Sequence, residues 1–170
     1  MKKTLFLSLL LSLSLSAVEL GSTLPSITLD GDKGGRVTGG AWSSGSLVGK
    51  VHLVFYVDPD ESDLNDALSD AVKASEPDRD KFASVAIINM AATWKPNFAI
   101  QSVLEGKQEK FPHTIYVKDM DKHVIDVWDV ADDNNDIILL DKSGKVIYFH
   151  EGEVDADGIK KVIKLIQEHI

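Results

Sequence analysis

Apolar and polar positions along this chain fall into blocks whose period switches between two and about 3.6. Val51-His52-Leu53-Val54-Phe55-Tyr56-Val57 is nearly continuous in apolar and β-branched residues. Such a run marks a strand buried on both faces. Leu64, Ala67, Leu68, Ala71 and Val72 then recur at i, i+3, i+4 spacing and predict a helix over 63–74. Phe82 to Met90 reads as a second buried strand. Pro96 and Asn97 open a helix through Phe98, Ile100, Val103 and Leu104, with Gly106 placed to end it. Thr114 to Val117 predicts a strand, and Val124 to Trp128 a short segment after it. Two apolar runs, 137–140 and 145–149, flank Asp141-Lys142-Ser143-Gly144, which predicts a hairpin. The closing helix starts near Ala156 with Asp155 or Asp157 as its N-cap and buries Ile159, Val162, Ile163, Ile166 and Ile170.

The order β-α-β-α-β, hairpin, helix gives a mixed sheet with helices on both faces, an α/β sandwich. Upstream, residues 21–50 are rich in Gly, Ser and Thr and predict turns between short strands at 26–29 and 35–38. Gly34-Gly35 has neither the strand-to-helix context nor the Gly-Lys-Ser/Thr of a phosphate loop, so hairpin glycines are expected there.

The N-terminus predicts export. Lys2 and Lys3 precede an apolar, serine-broken run from Leu5 to Leu15, and Ser14-Leu15-Ser16 offers small residues for cleavage after Ser16 or Ala17. The run is shorter than the roughly 20 residues of a membrane span. Residues 1–16 are thus expected to be a signal peptide, and 17–170 a single periplasmic domain with no stable membrane insertion. The formal charge of -9 becomes more negative once Lys2 and Lys3 leave. Nucleic acid and anionic lipid surfaces would be repelled, whereas cations and basic protein surfaces are electrostatically suitable partners.

The chain contains no cysteine. Disulfide exchange and thiol peroxidase chemistry require a thiolate, so both activities are excluded. The five histidines show no metal-ligand spacing, and a serine elbow of the Gly-x-Ser-x-Gly type is absent.

Several segments resemble a known family. Gly49-Lys50-Val51-His52-Leu53-Val54-Phe55 looks like the entry to the first core strand of TlpA-like and peroxiredoxin-like proteins. Leu139-Leu140-Asp141-Lys142-Ser143-Gly144-Lys145-Val146 looks like their late hairpin, and the segment from Gly21 to Leu29 like their N-terminal strand. More specifically, Trp42-Ser43-Ser44-x-x-Leu47-Val48-Gly49-Lys50-Val51 is similar to the YtfJ family of exported bacterial proteins. Phe111-Pro112 through Trp128 and on to Gly144 fits that family too. The resemblance implies a thioredoxin-like three-layer α/β/α sandwich with a mixed central sheet and an N-terminal β extension. It implies a compartment as well, but no reaction.

Counting from Gly49-Lys50, the two thiol positions of such folds fall near Glu61 and Leu64. Counting back from Leu140-Asp141, the usual cis-proline falls near Asn135. A cis bond at a non-proline residue costs about 3–4 kcal/mol, so a trans bond is expected there. The resemblance places the loop after the first core strand beside the loop before the hairpin. Asp58, Asp60, Glu61 and Asp63 would then meet Asp132, Asp133, Asn135 and Asp136 at one edge, with Trp94 reaching it from the 91–96 connection.

Two like charges about 4 Å apart repel by roughly 4 kcal/mol at an effective dielectric near 20. Protonation, a basic partner or a hard cation would relieve this. Calcium or magnesium at Asp60, Asp63, Asp133 and Asp136 is the metal option, although 58–63 fails the EF-hand template. A plain solvated acidic surface, with Asp60 or Ser62 merely capping the next helix, is the alternative. The expectation is therefore a non-redox binding or adaptor module for a periplasmic protein or cation with no required cofactor. An acidic cation-binding protein follows, and an enzyme of unfamiliar chemistry comes last.

Overall fold

The structure, a computed structural model, describes residues 18–170. The expected signal peptide lies outside the described residues. The elements in chain order are β1 (Thr28–Leu29), β2 (Gly34–Arg36), β3 (Trp42–Ser43), β4 (Val51–Val57), α1 (Asp66–Ala74) and β5 (Phe82–Asn89). There follow α2 (Asn97–Lys110), β6 (Thr114–Asp119), α3 (His123–Trp128), β7 (Asn135–Leu140), β8 (Val146–His150) and α4 (Ala156–His169).

Six strands form one mixed sheet in the order β2-β6-β5-β4-β7-β8. Strand β4 pairs parallel to β5 and antiparallel to β7, with Val57 opposite Asn135. It therefore sits in the middle, which is why Val51–Val57 reads as an unbroken apolar run. Alternate residues of each strand supply opposite layers. Val54, Tyr56, Val85, Ile87, Val117, Ile138 and Leu140 pack with Val124 and Trp128 of α3 and with the N-terminal extension. On the other face Val51, Leu53, Ile137 and Leu139 meet α1 and α4. Beside them, Val57, Ala86, Ile88 and Tyr116 meet Ile100 and Leu104 of α2. This is the α/β/α sandwich with a mixed sheet.

Four local expectations are corrected. Strand β2 does not join a separate hairpin; it caps the sheet edge antiparallel to β6. Gly34 is required there, since it has φ of 124° and a Cβ would run into the Lys118 carbonyl. Gly106 does not end α2, because one interior glycine costs only about 1 kcal/mol. The helix runs four residues further and stops before Phe111-Pro112, where proline drives its predecessor out of helical geometry (Phe111 φ -126°, ψ 67°). The segment 123–128 is a short helix, whose first amides, from His123 and Val124, donate to the Asp119 carboxylate at 2.9 Å. Finally, neither Asp60 nor Ser62 caps α1. Asn65 occupies its N-cap position and makes no side-chain cap bond.

Candidate functional site

Strands β4, β5 and β6 all end at the same edge of the sheet, where β7 begins. The loop after β4 and the loop before β7 meet there. The Asp58 amide donates to the Asn134 carbonyl at 2.8 Å, extending the ladder by one rung. Asp58 is itself 4% exposed and accepts from the Asp60 amide at 2.7 Å, closing a one-turn 3-10 helix over Pro59–Glu61. Burial pushes its carboxyl above the ordinary aspartate value.

Two asparagines pin this edge. Asn135 donates through Nδ2 to the Glu61 carbonyl at 3.1 Å, while its Oδ1 is buried without a partner. Asn65 donates to the carbonyls of Asn135 at 3.1 Å and Gly152 at 3.0 Å, and accepts from the Val154 amide at 2.9 Å. One buried amide thus ties α1, β7 and the lead into α4 together. No cis peptide bond occurs among the described residues, Asn135 included.

The acidic side chains are brought to this edge, where Asp58 lies near Asp60 and Asp133, but most are separated or paired with lysines. Lys95 Nζ lies 2.5 Å from Asp60 Oδ1, and this bond holds the Asp60 carboxyl below its usual range. Lys122 Nζ lies 2.5 Å from Asp132 Oδ2 and lowers that carboxyl in the same way. Asn89 adds a hydrogen bond to Asp132 Oδ1 at 3.1 Å. Asp63 and Glu61 are exposed, as is Asp133, which adopts φ of 53° and whose carboxylate lies close to that of Asp58.

Asp136 behaves differently because the strand period sends it through the sheet. It is fully buried, accepts from the Ala131 amide at 2.7 Å through Oδ2, and leaves Oδ1 without a partner. Burial raises its carboxyl to about 6. Next to it in register, Tyr56 is also buried and donates to Asp119 Oδ2 at 3.1 Å. Among the described residues no three His, Asp or Glu side chains converge as a cation-holding group. The suggested set of Asp60, Asp63, Asp133 and Asp136 is therefore divided: one is paired with lysine, two are solvated and one lies inside.

Trp94 is 87% exposed, and Phe98, four residues on, is 79% exposed. The Lys95–Asp60 pair holds their segment against the edge. Sequence reasoning missed both lysines and Asn65. Nothing local marks them, since each acts on a partner brought near by the sheet.

The comparisons with known proteins agree with this architecture. A thiol peroxidase from Chromobacterium violaceum superposes with a TM-score of 0.64 at 16% identity, covering 90% of this chain and 88% of that one. The thioredoxin domain of a thiol-disulfide oxidoreductase from Bacteroides vulgatus gives 0.63 at 20% identity, covering 88% and 99%. These likenesses show a thioredoxin-like fold, here without any cysteine. An uncharacterised Haemophilus influenzae protein is 33% identical over 129 residues, 74% of this chain and 70% of the relative. The uncharacterised Escherichia coli protein YtfJ is 26% identical over 130 residues, 75% of this chain and 71% of the relative. The family model described as "Bacterial protein of unknown function (YtfJ_HI0045)" matches residues 26–169. The chain belongs to this YtfJ family of bacterial proteins and has a thioredoxin-like fold without cysteine.

Proposed function

We propose that this chain is an exported, non-redox binding module that engages a protein partner at the edge where thioredoxin-like folds carry their thiols. The observation that carries the reading is the pair Trp94 and Phe98, large apolar side chains left almost wholly in water beside that edge. Exposed aromatic side chains, here one in the β5–α2 connection and one in the first turn of α2, are suited to anchor an interface. At the same edge stand Glu61, Asp63 and Asp133, which form no salt bridge among the described residues. They favour a partner with a basic surface. The asparagine ties fix the acidic side of this edge, and the Lys95–Asp60 pair links the aromatic segment to it, which limits reordering on binding.

The test places a photo-activatable side chain at Trp94 in exported protein, with Lys142 on the distant hairpin as the control position. A discrete crosslinked partner from position 94, weakened by salt and absent from 142, supports the reading. Equal or absent crosslinking at both positions overturns it. A cation at this edge is the second reading, but of its suggested ligands Asp60 is already taken by Lys95 and Asp136 lies buried.

A further inference from the structure

On the sheet face that carries α1, α2 and α4, the apolar core is in two parts. One lies under α1 and α4 and the other under α2, and the half-buried Phe55 borders both. Between α1 and α2 runs a groove of about 760 Å³, whose base is formed by sheet side chains that are themselves mostly buried under α2. Its floor is Phe55, Val57, Ala86 and Ile88, with Ile100 and Leu104 as one wall. Ala99 to Lys110 along that wall spans about 16 Å at 1.5 Å per residue.

The groove is polarised. Lys73, Arg79, Lys107 and Lys110 gather at the end where α1 and α2 finish, and none of them forms a salt bridge among the described residues. Lys73 and Lys110 place their ammonium groups 5.4 and 4.9 Å from the centre of the Phe111 ring. In a chain of formal charge -9, this is a local concentration of positive charge at one mouth of the trough, while Asp63, Asp66 and Asp70 line the α1 side away from it.

We infer that this groove binds a free long-chain fatty acid, its alkyl tail along Phe55, Val57, Ala86 and Ile88 and its carboxylate at Lys73, Lys107 and Lys110. The floor strand β5 is hydrogen-bonded on both sides, so an extended peptide would find no free ladder and would strand its own amides. A three-turn helix about 10 Å across occupies roughly 1,250 Å³, well above the groove volume, so it could not be enclosed. An alkyl chain has no backbone polar groups to satisfy, and a single anionic head matches the single cationic mouth. The inference goes beyond the partner reading and does not depend on it.

The test displaces dansyl-undecanoic acid from the purified protein with saturated fatty acids. Saturable one-to-one binding is expected, tightening about fourfold per added methylene until the tail outruns the groove. Dodecanoate should compete better than dodecanol, and dodecylammonium worst. Ala86→Trp, which fills the floor, and Val103→Asp, on the exposed rim, should each weaken the probe at least about tenfold. Should Ala86→Trp fail to fold, the rim variant carries that arm. Lys107→Glu with Lys110→Glu should weaken dodecanoate while leaving dodecanol unchanged. The inference is overturned by non-saturable binding, by dodecylammonium matching dodecanoate, by indifference to the rim variant, or by an apolar peptide displacing the probe where fatty acids do not.

Discussion

Asp136 should make this protein lose stability as the pH rises from about 4 to about 6, opposite to the usual behaviour of a carboxylate. The side chain has no solvent exposure, one partnered oxygen and one unpartnered one, so its charged form is poorly solvated. Moving a carboxyl from 3.8 in the unfolded chain to about 6 in the fold amounts to about 3 kcal/mol, at about 1.4 kcal/mol per decade. Because the folded value is the higher one, the native state holds the proton more tightly. That stabilisation is fully present below 3.8 and is lost as the pH passes 6. Asp60 and Asp132, both lowered by their lysines, act with the opposite sign and mostly below this window.

Asp136→Asn isolates the effect, since it keeps an oxygen to accept from Ala131 and removes the charge. Urea unfolding followed by circular dichroism at a series of pH values gives the difference between variant and wild type. That difference should move in the variant's favour by about 2.4 kcal/mol between pH 4 and 7.5, the remainder of the effect lying below pH 4. A difference that stays constant to within about 0.5 kcal/mol, or that moves the other way, would refute the reasoning.

Asn65→Ala removes one amide from three backbone partners, leaving the Asn135 and Gly152 carbonyls and the Val154 amide without it. It should cost about 3 kcal/mol in chemical denaturation, with faster hydrogen exchange at Val154 as the local sign. Lys95→Ala and Lys122→Ala should each cost no more than about 1 kcal/mol, because both pairs lie at the surface. The wild-type melting temperature should be the same in excess calcium and in excess chelator. A rise in calcium would show that the acidic loops prefer a cation to their own lysines.

The sequence by itself determined the layered sandwich, the central position of β4, the late hairpin and the closing helix. Each depends on a local period or a local turn, and such signals survive in a single chain. Val51–Val57 and the stripe from Ile159 to Ile166 were legible for that reason. The absence of thiols was legible too, and with it the exclusion of thiol chemistry.

Only the tertiary structure decided what became of the acidic edge. Asp60 and Lys95 stand far apart in sequence, and the sheet brings them to 2.5 Å. Asp136 and Asn135 are neighbours in one strand, but the pleat sends one into the far layer and keeps the other at the edge. The groove between α1 and α2 likewise comes from how far apart two helices settle on a shared sheet. Pairing, pleat side and helix spacing are long-range quantities set by packing, so no stretch of residues carries them alone.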